Sequence, residues 1–222
     1  MLRGLIFDLD GVVTRTEMIH FHAWREVFSS HGVQFDLEDY FMNVDGKQRW
    51  HGIKSMLPNA PEVMVKRLSQ EKQALFKSRL QQQSVGLYDD AVTLIHSARG
   101  YSLRVALASS SSNAPEILRL TGIGKLFDAV VIPDGAMRSK PAPDIFLKAA
   151  VGLGATAREI VVFEDACAGL LAAKNAGMCC VGVRRHPAKI LDGAPLVVNS
   201  LEEVDIAALT ELLARTEGGD LG

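Results

Sequence analysis

The chain predicts an α/β fold: a doubly wound parallel sheet (Rossmann-like) with a small α-helical cap domain inserted after the first strand. Three observations carry this. Short apolar runs rich in Val, Ile, Leu and Phe recur without strict alternation, the pattern of strands buried on both faces. Helical stretches lie between them, opening on acid or proline and closing on glycine, which are the usual start and stop signals. The third observation is a gap: the first run has no successor until about residue 103, and residues 15–84 hold no strand candidate.

In order, the strand candidates are "LRGLIFD" (2–8), "LRVALAS" (103–109), "AVVIPD" (129–134), "EIVVFED" (159–165), "CCVGVR" (179–184) and the weaker "LVVNS" (196–200). Between them, "DDAVTLIHSARG" closes at Gly100 and "APEILRLTGIG" opens with Pro115. "APDIFLKAAVGLG" opens with Pro143 and Asp144, and "DACAGLLAAKNAG" is expected to start from Asp165 and stop at Gly177. Strand alternating with helix argues a doubly wound sheet. Within the gap, residues 16–31, 47–57 and 62–82 are helical in pattern. This places a Rossmann-like core at residues 1–14 and 85–222 and a helical cap at 15–84, hinged near 14–16 and 83–88.

The 222 residues are enough for one domain or two small ones with a buried core. Hydrophobic residues at 48% and a formal charge of -2 give no global pull toward nucleic acid or an anionic membrane. No run approaches the roughly 18 apolar residues of a membrane span, and the N-terminal run is too short for a signal peptide. The cysteines, Cys167, Cys179 and Cys180, are odd in number with two adjacent. A reduced, cytoplasmic setting follows, and we expect a monomer with no nucleic-acid or membrane partner.

Ligands of parallel α/β sheets bind outside the carboxyl ends of the strands. There the sequence puts Asp8 and Asp10 after the first strand, Ser109, Ser110 and Ser111 after the second, Lys140 and Pro141 beyond the third, and Glu164 and Asp165 after the fourth. Carboxylates this close repel unless a cation neutralises them or one stays protonated. An all-oxygen set favours a hard ion such as Mg²⁺. A hydroxyl and a lysine beside that ion make a cradle for a phosphoryl group. Asp8 then reads as the nucleophile, forming an aspartyl-phosphate. Asp10 reads as the general acid–base, and Gly11 lets the chain turn beside the site. The plainer readings are a turn at Asp10-Gly11, a helix N-cap at Asp165 and a capping box from Asn113 to Glu116.

"DLDGV" (8–12), "LASS" (107–110), "SKPAPDIF" (139–146) and "ED" (164–165) together resemble the four motifs of the haloacid-dehalogenase superfamily of phosphotransferases. The resemblance spans essentially the whole chain. It implies Ser109 and Lys140 on the phosphoryl group. It also implies Mg²⁺ held by the Asp8 side chain, the Asp10 backbone carbonyl and Asp165, with Glu164 nearby, and a cis Lys140–Pro141 peptide.

The insertion is similar to that of the β-phosphoglucomutase branch. "TEMIHFHAWREV" (16–27) carries Thr16, His20, Ala23 and Trp24 in matching places. "DGKQR" (45–49) resembles its substrate loop with Gly46, Lys47 and Arg49, placing Arg49 on the distal phosphate. Lys72 falls where that branch has a cap lysine, and "SSSSNAP" (109–115) matches through Ser111 and Asn113. Arg15 stands where these enzymes usually carry aspartate, and Ser112 where they carry lysine.

The resemblance implies conversion of β-glucose 1-phosphate to glucose 6-phosphate, with glucose 1,6-bisphosphate as activator. The near alternative is a sugar-phosphate phosphatase on the same scaffold. A receiver-like phosphorylation switch is the alternative from another class. It lacks the Asp-x-Asp order at the first strand and so long an insertion.

Overall fold

A computed structural model of the chain describes residues 1–134 and 137–217. Strand β1 (Gly4–Phe7) leads to α1 (Glu17–Ser30), α2 (Leu37–Asp39) running into a π-turn at Tyr40–Val44, α3 (Arg49–Met56) and α4 (Glu62–Gln82). Then come α5 (Asp89–Gly100), β2 (Arg104–Ala108), α6 (Ala114–Thr121), β3 (Ala129–Val131), α7 (Asp144–Leu153) and β4 (Ile160–Glu164). The chain continues through α8 (Cys167–Asn175), β5 (Cys179–Val183), β6 (Leu196–Val198) and α9 (Ile206–Glu217).

The strands form one six-stranded parallel sheet in the order β3-β2-β1-β4-β5-β6. All six stand where the apolar runs place them. β1 lies between β2 and β4, with Leu5 registered against Val105 and Val161 and Phe7 against Leu107 and Phe163. The pleat sends alternate side chains to opposite faces. Leu5 and Phe7 join one core with α5, α6 and α9, and Ile6 joins another with α7 and α8. A third apolar cluster, with Phe21, Trp24, Phe28, Ile53 and Leu68, lies within the insertion. Ile19, Ala23, Phe76 and Leu80 extend α1 and α4 into the first core.

Some local expectations change. α8 begins at Cys167 with Ala166 at its N-cap, because the Asp165 side chain is engaged by Lys189. The Asn113–Glu116 capping box does not form: Glu116 pairs with Arg119, and Asn113 accepts from Gln73. α2, its π-turn and α9 have no counterpart among the helical patterns read from the sequence. The Lys140–Pro141 peptide is cis.

Candidate active site

In this strand order the connection reverses between β1 and β4, so a crevice opens where those strands end. A cavity of about 960 Å³ occupies it. Asp8, Asp10, Ser109, Lys140, Glu164 and Asp165 line the sheet side, and His20, Arg49 and Lys72 line the insertion side.

Asp8 is held one residue past β1, its amide donating to the Phe163 carbonyl at 3.0 Å. The Lys140 ammonium donates to Asp8 Oδ1 at 2.6 Å and to Glu164 Oε1. Glu164 is fixed in turn, its Oε2 accepting from the amides of Asp165 (2.9 Å) and Ala166 (3.0 Å). One buried ammonium thus serves two buried carboxylates. Burial raises the Asp8 carboxyl to about 7, more than Lys140 can lower it, and Glu164 and Asp10 add to the rise. Burial disfavours the Lys140 charge, but Asp8 and Glu164 outweigh it and hold that lysine above its ordinary range.

Asp10 has no such lysine. Its Oδ1 accepts from Thr16 Oγ1 at 2.5 Å and lies 3.9 Å from His20 Nε2. Burial raises its carboxyl, partly opposed by the Thr16 hydrogen bond and by Lys72. Thr16 is the N-cap residue of α1 yet makes no capping bond, because its hydroxyl is spent on Asp10. Between the two acids and α1, the turn closes through Gly11 N to the Thr14 carbonyl at 2.9 Å. Gly11 adopts φ +77°, and a side chain there would collide with the Asp165 carboxylate.

Behind β2, Ser109 is buried, and its Oγ accepts from the Ser111 amide at 3.1 Å. Ser111 Oγ accepts in turn from the Asn113 amide at 3.2 Å. From the insertion, Arg49 donates to Ser69 Oγ at 3.2 Å and to Gln73. Gln73 donates to Asn113 Oδ1 at 2.5 Å, so a polar chain crosses from the insertion to the start of α6. Lys72 is buried with its Nζ 2.6 Å from His20 Nδ1. Burial, with Arg49 nearby, lowers it to about 7 against the pull of Asp10. His20 stacks on Phe76 at 4.0 Å. Burial, then Lys72 and Arg49, push its pKa well below the usual histidine value. Gly46 and Lys47 also line the cavity, with Lys47 Nζ 3.3 Å from Ser55 Oγ.

The site residues named from the sequence therefore converge on one cavity, with the exception of Thr16, which reaches it through Asp10. Trp24 packs on Phe28 at 5.3 Å and also lines the cavity. Arg15 lies outside the cavity lining, exposed, with its guanidinium 4.8 Å from the centre of the Tyr88 ring. Sequence reasoning missed Glu17, Asp45, Ser69 and Gln73, which touch or line the site, and Lys189, which holds Asp165. Asp45 begins the "DGKQR" stretch and was visible as a turn residue. Lys189, in "HPAKI", carries no local signal.

Among the described residues no three His, Cys, Asp or Glu side chains already form a metal cage; Lys140 and Lys189 stand between the carboxylates. The donors nonetheless suit a hard cation. The carboxylates of Asp8, Glu164, Asp45 and Asp165 share two ammonium groups, those of Lys140 and Lys189. Asp10 adds a further carboxylate at the cavity, and burial holds both Asp8 and Asp165 above the usual carboxylate range. An oxygen-only set with excess negative charge is the environment such a cation favours.

Comparison with known proteins bears on this arrangement. The family described as haloacid dehalogenase-like hydrolase matches residues 2–177, a span holding all four motifs. The β-phosphoglucomutase of Bacillus subtilis (strain 168) is 35% identical over 218 residues, covering 95% of each chain. A fructose-1-phosphate phosphatase of Escherichia coli (strain K12) is 37% identical over 183 residues, covering 82% of this chain and 96% of its own. Among solved structures, a β-phosphoglucomutase from Clostridium difficile superposes with a TM-score of 0.81 at 28% identity, covering 98% of this chain and 100% of that one. This chain is an enzyme of the haloacid dehalogenase-like hydrolase family.

Proposed function

We propose that the chain catalyses Mg²⁺-dependent phosphoryl transfer on a sugar phosphate through an aspartyl-phosphate on Asp8, as a β-phosphoglucomutase acting on β-glucose 1-phosphate. The observation that carries this is the buried Asp8–Lys140–Glu164 ladder beside Asp10, facing Arg49 across one cavity. The Bacillus relative, aligned over nearly both full lengths, supports it.

The chain's residues divide the reaction as follows. Asp8 attacks phosphorus, the ester P–O bond breaks, and Asp10 protonates the departing oxygen. In the return step another hydroxyl attacks, its proton passes to Asp10, and the Asp8–phosphorus bond breaks. Lys140 and Ser109 hold the phosphoryl oxygens. Arg49, released from Ser69 and Gln73, takes the distal phosphate through its guanidinium fork. Lys72, Thr16, His20, Gly46, Lys47, Ser111 and Asn113 shape the sugar side. Asp8, the Asp10 carbonyl and Asp165 would hold Mg²⁺, with Glu164 beside them. Once bound, the ion supplies neutralisation of the phosphoryl charge.

Residues 15–84 act as the cap. Its two connections run side by side, Arg15 N donating to the Gly86 carbonyl at 2.9 Å and Tyr88 N to the Val13 carbonyl at 3.0 Å, a geometry suited to a hinge. Closure excludes water, which would hydrolyse the aspartyl-phosphate.

A sugar-phosphate phosphatase is the second reading. The Escherichia relative favours it, and Ser112 supplies no cation at the cavity wall. ³¹P NMR with Mg²⁺, β-glucose 1-phosphate and a trace of glucose 1,6-bisphosphate separates the two. Accumulating glucose 6-phosphate is expected. Inorganic phosphate alone would replace the mutase with the phosphatase. Arg49→Ala should leave phosphate release intact while abolishing isomerisation; unaffected isomerisation removes Arg49 from its role.

A further inference from the structure

Asp165 has a partner that phosphoryl transfer does not require. Lys189, in the segment after β5, is only 4% exposed. Its ammonium donates to the Asp165 carboxylate and, at 3.2 Å, to the Asp165 backbone carbonyl. The same ammonium lies 2.6 Å from Asp45 Oδ2. Asp165 follows β4 in the α/β layer, whereas Asp45 lies in the insertion just after the π-turn. One buried cation therefore ties the two parts of the molecule together, at the seam beside the cavity.

Other contacts converge on this seam. The Tyr40 hydroxyl donates to Asp45 Oδ1 at 2.8 Å, aiming the carboxylate. Gly46, at φ +69°, lets the backbone lie against Ala166, where any side chain would collide. Phe41 of the insertion stacks on His186 at 4.1 Å. The strap bearing Lys189 is itself anchored: Arg185 donates to Asp90 at 2.5 Å and to the Val12 carbonyl at 3.3 Å. A buried charge cluster holds only while its partners are in place, since an unpaired member faces the full cost of burial. Lifting the insertion would take Asp45 from Lys189 and let water into the pair.

We propose that Lys189 and Asp45 form an interdomain latch, a pair of positioning residues that hold the insertion closed over Asp8 and Asp10. This rests on the reading of residues 15–84 as a cap that opens. The latch sets how often water reaches the aspartyl-phosphate. That attack forms a bond from the water oxygen to phosphorus, breaks the bond to Asp8, passes the proton to Asp10 and releases inorganic phosphate.

Hydrogen exchange followed by mass spectrometry on the full chain, with no substrate present, tests the latch. Asp45→Asn and Lys189→Met should each speed exchange of amides 44–48 by roughly tenfold or more, as expected for a broken buried pair. Lys189→Arg, which keeps the cation though not its shape, should exchange more slowly at 44–48 than Lys189→Met. The double variant Asp45→Asn/Lys189→Met should exchange no faster than the faster single, because the two residues share one interaction. Unchanged exchange at 44–48 in Asp45→Asn, or additive effects in the double variant, overturns the latch. Asp45→Asn is nearly isosteric and keeps the test open if Lys189→Met fails to fold. The exchange pattern does not depend on turnover. Should it appear as expected while no sugar phosphate is processed, the functional reading falls and the latch stands.

Discussion

Asp8 and Asp10 are two residues apart and chemically identical, and their surroundings differ. Asp8 is clamped by Lys140 at 2.6 Å, whereas Asp10 is held by a neutral hydroxyl and kept partly protonatable by burial. The raised Asp8 carboxyl makes a pH prediction. Without metal it is protonated in the fold below about 7, whereas in the unfolded chain it ionises near the ordinary value of 3.8. Folding then takes up a proton between those limits, and stability falls as pH rises through that window. Thermal melts of the metal-free protein should show the parent losing ground against Asp8→Asn from about pH 4 to 7, with Mg²⁺ reversing the loss. An offset between the two that does not vary with pH would contradict the assignment. Arg15, a cation in an unexpected place, is explained at this scale too: it lies outside the cavity lining, over the Tyr88 ring. Its charge therefore lies where the two connections of the insertion run side by side.

At the scale of elements, the segment after β5 does more than connect. It carries Arg185 to Asp90 at the start of α5 and Lys189 to Asp165 at the end of β4. Burial opposes the Asp90 charge, but hydrogen bonds from Arg185, the Leu201 amide and Ser200 overcome it and draw its carboxyl down to about 2. A depressed carboxyl contributes stability above its unfolded value and loses it as pH falls from about 4 toward 2. Asp90→Ala, which leaves Arg185 buried without its partner, should cost roughly 3 kcal/mol in urea denaturation at neutral pH. It should also flatten the acid limb between about pH 4 and 2. A loss under about 0.5 kcal/mol, the size of an ordinary surface change, would show that Arg185 finds another acceptor. α1 shows the same economy from the other side: its N-cap threonine forgoes capping in order to orient Asp10. A local rule is broken where the site needs the group.

Across the whole molecule, the insertion has its own apolar cluster, distinct from the two that sandwich the sheet. Loss of packing should then be felt in the part where it occurs. Phe28→Ala, at a fully buried position in the insertion, removes about 3–5 kcal/mol of packing there. It should speed hydrogen exchange in α1, α3 and the first half of α4 while β1 and β4 keep their protection. Phe146→Ala, equally buried beneath the sheet, should loosen the strands instead. Uniform loss of protection in both variants would mean that insertion and sheet unfold as one unit.

Much of this architecture was legible in the chain. Strands buried on both faces must be apolar along their length, so the six runs located all six strands. The groups placed at their carboxyl ends, Asp8, Asp10, Ser109, Lys140, Glu164 and Asp165, were legible as well, because parallel sheets bind ligands there. The short α2 and its π-turn were hard to read: Leu37, Tyr40, Phe41 and Val44 keep helical spacing, but over only eight residues before Asp45-Gly46 ends the pattern. Nor was the start of α8, because whether Asp165 caps a helix or faces a distant lysine depends on what that lysine reaches. By itself, then, the sequence determined the sheet, the helical insertion and the set of acids at the crevice, all of which follow from periodicity and order along the chain. Tertiary structure alone decided which cation meets which carboxylate: Lys140 between Asp8 and Glu164, Lys189 between Asp165 and Asp45, Gln73 between Arg49 and Asn113. Such pairings join loops and helices far apart in sequence. A lone lysine in a loop has no local signature until packing and burial make its charge costly to leave unpaired.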